Sequence, residues 1–197
     1  MKIKLIVFLL FIYNTTNAQN AMKDTTFYAQ IPEPSNEYTP GAIVSRMVDG
    51  LGFRFYWATE GLKEEDLKYK PSDKGRNILQ TVDHVLGLSN VILNSAKKEP
   101  TVFSEEKKEM SFAEKREAIL DNLKIASNLF LKSKDLSKHK IIFVSDKGKK
   151  EFPFWNQING PIEDAVWHAG QIVVLRRSAG NPMNPNANFL TGKLRDK

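Results

Sequence analysis

Not one of the 197 residues is cysteine. Disulfides, a thiol nucleophile, a thiolate metal site and a lipid anchor on an N-terminal cysteine are therefore all excluded, so stability has to come from packing. Histidine is scarce, with three in the whole chain, and any imidazole metal site must draw on those three. Beyond residues 5–13 no apolar run approaches the roughly 20 residues of a membrane-spanning helix. Gly-x-Ser-x-Gly, glycine-rich phosphate loops and dinucleotide fingerprints are absent, as are internal repeats and low-complexity tracts. The charge is mild: the formal net value is +6. The lysines between Lys97 and Lys150 alternate with glutamates as on solvated faces, so nucleic acid is not an expected partner.

What is present begins with an export pattern. Lys2 and Lys4 precede an apolar run from Leu5 to Tyr13, and Thr16-Asn17-Ala18 offers small residues for cleavage. Residues 1–18 thus read as a signal peptide. Cleavage after Ala18 would leave 179 residues with net charge +4, no membrane anchor and a periplasmic or secreted location. That length suits one domain with a real core.

Residues 19–38 carry Pro32, Pro34, Ser35 and Asn36 without periodicity and read as a linker. Thr39-Pro40 has the form of a helix start, and Ile43, Val44, Met47, Leu51 and Phe55 continue it to about residue 60. A second helix is predicted over 77–97 and ends before Pro100. A third is predicted over 111–134, where Ser111 and Glu114 have capping-box form. Residues 141–154 suggest a small hairpin whose second strand is confined to an edge by Pro153. A last helix is predicted over 158–180, with Gly160 and Pro161 marking its start or a kink and Gly180 closing it. The fold expectation is all-α: an antiparallel four-helix bundle over 39–182 with a small hairpin before the last helix, and a tail over 183–197 draped on the surface.

The last helix carries the chemistry. At about 100° per residue, Asp164, His168 and Gln171 fall within roughly 60° of one another on a mostly apolar helix. A carboxylate and an imidazole one turn apart are costly to bury unless something binds them, and a divalent metal would. The same spacing also fits an ordinary charged pair near a helix start. His84 lies about 40° outside the edge of the main apolar arc of the second helix, so periodicity permits it to face inward without demanding it. His139, in a lysine-rich turn, is expected to be solvated. Glu60 fits a surface helix end, and Glu163 points about 100° away from Asp164.

Taken in order, Ala58-Thr59-Glu60-Gly61-Leu62 with Glu65-Asp66-Leu67 and Pro71, then Asp83-His84, then His168-x-Gly170-Gln171, then Leu175-Arg176 and Gly180-x-Pro182, resemble the DinB-like superfamily. The resemblance spans about residues 39–185. It implies a four-helix bundle holding a divalent metal with one histidine of the second helix and two of the fourth. His84 matches the former and His168 the second of the latter, while Asp164 stands where the family has its other histidine. Two histidines and one carboxylate still make a three-ligand set for zinc, nickel, iron or manganese. The resemblance implies a metal-dependent hydrolase or transferase acting on a small molecule, with Gln171 beside the ligands and Trp57 and Trp167 as pocket walls. Thiol-dependent transfer, known in the family, fits poorly with export. The competing expectation is a non-catalytic periplasmic ligand-binding or stress-associated bundle that has lost the full triad. A homodimer is compatible with either.

Overall fold

Three of the long helices start for one physical reason. Thr39, Asn77 and Ser111 each place a side-chain oxygen on the backbone N–H three residues on, at 3.2, 2.7 and 3.3 Å, which satisfies a donor the helix cannot. Gln80 and Glu114 reach back to the N–H of Asn77 and Ser111 and complete capping boxes. The structure, a computed structural model, describes residues 26–103 and 109–196. The expected signal peptide and the first residues of the expected linker lie outside the described residues.

The chain is mostly helical, as expected. Helix α1 spans Pro40–Thr59, a short α2 Glu64–Leu67 and α3 Ile78–Lys97. Strand β1 is Thr101–Val102 and α4 is Phe112–Leu131. The hairpin is present as β2, Ile141–Ser145, and β3, Gly148–Phe152, with Ser145 opposite Gly148. Gly148 takes φ +110° in the turn, a conformation that costs glycine little. Pro153 follows β3, which is an edge strand; the other edge is β1, pairing parallel to β2, which the sequence reading did not foresee. After α5, Trp155–Gln157, comes α6, Glu163–Ser178. The core is the shared interior of α1, α3, α4 and α6, where Leu51, Phe55, Val82, Val85, Leu123 and Ile172 are fully buried.

The helix directions correct the expected antiparallel arrangement. Lys115 of α4 pairs with Asp83 of α3 at 2.6 Å, and Asn122 donates to Ser89 and Asn90 further along both helices, so α3 and α4 run parallel. Helix α1 runs opposite to α4: Arg116 donates to Thr59 at 2.9 Å, while Ser45 meets Ser127 at 2.8 Å. Helices α1 and α6 pack together and finish together, because Arg176 donates to the carbonyls of Trp57, Ala58 and Glu60. The order is up, down, down, up. The separation of α3 and α4 in sequence allows this, since a chain of about 14 residues can span about 45 Å and α3 is only about 30 Å long.

Two further expectations change, and the tail carries paired strands. The segment read as a linker is held from its described start: Tyr28 is fully buried, Trp57 Nε1 donates to the Ala29 carbonyl at 3.1 Å, and Arg46 donates to that of Pro32. The tail folds into β4, Ala187–Asn188, against β5, Lys193–Leu194. Phe189 lays its ring 5.7 Å from that of Phe53, and Ile31 N–H donates to the Gly192 carbonyl, so the two ends of the described chain secure each other.

His139 is not solvated but 2% exposed. The 3-10 turn Leu136–Lys138 folds it inward against Phe130, with Nδ1 3.2 Å from the Ser95 carbonyl and Nε2 2.8 Å from Ser133 Oγ. Burial pushes its pKa down, so the folded protein holds it neutral. The unfolded chain then takes up this proton first as pH falls below about 6.5. Stability is therefore expected to be level above that pH and to fall below it, at no more than about 1.4 kcal/mol per pH unit. Denaturation of wild type and His139→Gln between pH 5 and 8 checks this: the difference between the two should narrow on acidification.

Candidate metal centre

The site begins with a break in the helix that carries it. Pro161 has no N–H for the carbonyl four residues back, and its ring would clash there in a regular helix. The chain answers with a π-type turn over Ile158–Ile162, in which Gly160 takes φ −99° and ψ −107°. Regular α-helix resumes at Glu163, and its first turn holds Glu163 and Asp164. Glu163 is exposed, as its angular position implies. Asp164 and His168, one turn apart, face α3 at the level of His84.

The three donors meet. Asp164 Oδ2 lies 3.2 Å from His84 Nε2, and its other oxygen, Oδ1, lies 3.3 Å from His168 Nε2. One ligand atom from each residue lies within 4.8 Å of the others. The imidazole rings approach edge to face, with centroids 4.5 Å apart. His168 is 9% exposed as a residue, whereas the side chains of His84 and Asp164 keep about a third of their surface. His168 is therefore the sheltered member, and the centre is reachable from solvent past His84 and Asp164.

The two contacts through Asp164 lie near the spacing a divalent ion would require, and the three donor atoms, within 4.8 Å of one another, would have to draw in around it. Ligand bonds of about 2.0–2.2 Å at tetrahedral angles put neighbouring donors about 3.3–3.6 Å apart. Charge-assisted hydrogen bonds close further, to about 2.7–2.9 Å. His168 Nδ1 faces Gln171 Oε1 at 2.9 Å. Gln171 has only an acceptor there, so Nδ1 carries the proton and the Nε2 lone pair points at the shared centre, the usual support for a ligating histidine. The donor set of two imidazoles and a carboxylate suits zinc, nickel, iron or manganese, and leaves positions open for substrate.

Beside the centre lies an open groove of about 840 Å³ formed by α6, the start of α3 and the preceding connection. His168 and Gln171 reach it, Trp167 and Val174 stand along it, and Thr81 and Arg76 close the α3 side. Trp167 is 70% exposed, a large apolar face offered to whatever enters. Trp57 does not line this groove. It is 8% exposed, packed edge-on to Tyr56 and Phe53, because the α1 face that carries it points into the core.

In the sequence Arg176 stands out only as part of the Leu175-Arg176 signature, which does not reveal its role. It is 2% exposed and fastens α6 to the end of α1, while Asn181 accepts from it and donates to Asp66 at 2.6 Å. The adjacent Leu175-Arg176 and Gly180-x-Pro182 signature is thus a device that fixes the helix bearing Asp164 and His168.

The model of one protein family, described as the DinB family, matches residues 54–191, more than half of the chain and all three converging residues. No curated protein and no solved structure matches the chain.

Proposed function

The chain belongs to the DinB family, and from that premise we propose that it binds one divalent metal ion through His84, Asp164 and His168 and acts as a metal-dependent hydrolase or transferase on a small molecule held in the adjoining groove. We read the helical body as a four-helix bundle of up-down-down-up order, and the export pattern as that of a periplasmic or secreted protein. The observation that carries the metal assignment is the convergence of three donors from two helices with edges of 3.2 and 3.3 Å. Only α3 and α6 packed in register bring it about.

A bound divalent ion would supply Lewis acidity, polarising a substrate oxygen. The residues do the rest. Gln171 holds the His168 proton on Nδ1 and so keeps Nε2 an acceptor. Asp164 spans both imidazoles and lowers the charge of the centre by one relative to a three-histidine set. Trp167 and Val174 cover an apolar part of the substrate and reduce its contact with water. Arg76 is the one permanent charge among the described residues of the groove wall.

One observation favours the alternative, a non-catalytic ligand-binding protein. Among the described residues lining the groove there is no carboxylate and no histidine besides His168, so no separate general base stands beside the centre. Elemental analysis of protein purified without a histidine tag tests the metal assignment. The expected result is about one transition-metal ion per chain, removed by chelator and restored on adding metal. Fewer than about one ion per ten chains after reloading would retire the assignment.

A further inference from the structure

A second cavity lies where the segment 27–38 crosses the start of α1 and the end of α4. It encloses about 340 Å³ and shares no lining residue with the groove beside His168. Its walls are apolar, with Phe27, Ile43, Met47 and Leu131 among them. Its floor is polar and nearly inaccessible: Ser45, Asp49 and Ser127 are 4, 7 and 5% exposed. Tyr28 Oη donates to Asp49 Oδ1 at 3.0 Å, the Ser127 hydroxyl also bonds to Asp49, and Ser45 Oγ lies 2.8 Å from Ser127 Oγ.

Asp49 is incompletely answered by this arrangement. A carboxylate offers about four lone-pair sites, and two donors use two of them. Among the described residues no cation stands within ion-pair distance of Asp49; Arg46, the one basic residue on the lining, gives Nη1 to the Pro32 carbonyl at 2.7 Å. A buried carboxylate without a cation is costly. Burial accordingly pushes the Asp49 carboxyl up, and the bonds from Ser127 and Tyr28 with the charge of Arg46 offset only part of this. Glu33 and Glu37 also line the cavity, so this corner is acidic in a chain whose net charge is +6.

We propose that this cavity is a second ligand site, separate from the metal centre, that takes a small primary amine with an apolar body and seats its ammonium on Asp49. The ammonium supplies both missing elements, a positive charge and further donors, while the apolar walls cover the carbon chain. The volume limits the ligand to a small molecule, and the carboxylate on the floor selects against an anionic head. The inference does not depend on the metal assignment.

Calorimetric titration of the full chain with hexylamine, 1-hexanol and hexanoate, at neutral pH and moderate salt, tests it. Hexylamine should bind saturably and at least about tenfold more tightly than hexanol, and hexanoate should not bind. Asp49→Asn should bring the amine down to the level of the alcohol. Leu131→Trp, at a wall position 43% exposed and so tolerant of change, should weaken amine and alcohol together and keeps the test decisive if Asp49→Asn fails to fold. Chelator should leave the amine affinity unchanged. Equal affinities for amine and alcohol, an amine preference that survives in Asp49→Asn, unchanged amine binding in Leu131→Trp, or loss of binding on chelation would each overturn the proposal.

Discussion

Asp164→Ala is expected to abolish the stabilisation that added zinc, nickel or manganese gives the wild-type protein. Ligand that binds only the folded state stabilises it by RT ln(1 + [L]/Kd), about 2.7 kcal/mol at a hundred times Kd. For a chain of this size that corresponds to a rise in Tm of roughly 5–10 °C. Asp164 contacts both imidazoles and is the one carboxylate grouped with them among the described residues, so its removal leaves two histidines without that third donor. Metal-free, the same substitution should cost only about 0.3–1 kcal/mol, because Asp164 then contributes a helix-start charge and two contacts longer than 3 Å. Asp164→His, which rebuilds the three-histidine pattern of the family resemblance, should respond to metal again, with a changed order of preference since imidazole and carboxylate differ in softness. Thermal melts of the three proteins with metal and with chelator decide the matter. A wild-type Tm indifferent to every ion would sink the metal assignment and leave the ligand-binding alternative.

The grouping of residues at the candidate site was partly legible in the sequence, because most of its signals are local. Asp164, His168 and Gln171 share a helix, and their angular clustering follows from 3.6 residues per turn alone. His84 needed the resemblance, since its place outside the edge of the α3 apolar arc is compatible with either direction. The helix starts at Thr39 and Ser111 were readable for the same reason, as capping is settled within four residues. What stayed hidden depends on contacts distant in sequence. No local signal orients α4 relative to α3, so their parallel pairing does not show in the sequence. Tyr28 looked like part of a linker because a single aromatic has no period, and its partner Asp49 lies 21 residues away. His139 looked solvated because its neighbours are lysines, and only the 3-10 turn beside it, with Ser95 and Ser133 placed to receive it, turns the ring inward.

Arg176 shows the same limit and yields the largest stability effect we expect. Its guanidinium donates through Nη1 to the carbonyls of Trp57, Ala58 and Glu60 at 3.2, 3.0 and 2.8 Å, and through Nε and Nη2 to Asn181. The carbonyls of Trp57 and Ala58 belong to the last turn of α1 and that of Glu60 to the residue that ends it, where a helix has no partners of its own for them. Burial pushes the Arg176 pKa down, and Asp66 and Glu60 oppose the shift, which keeps the charge in place. Arg176→Ala would strand these carbonyls in a site too covered for water to replace the fork fully, so the expected cost is about 3–5 kcal/mol, as for breaking a buried charged network. Arg176→Lys should recover little, because a point charge cannot span acceptors set by a planar fork. Arg177→Ala, one residue on and exposed, should stay within about 0.5 kcal/mol of wild type. Urea denaturation of the three variants measures all of this. A cost below about 1 kcal/mol for Arg176→Ala would show that the end of α1 is held by other contacts and that the Leu175-Arg176 signature does not fix the helix bearing Asp164 and His168.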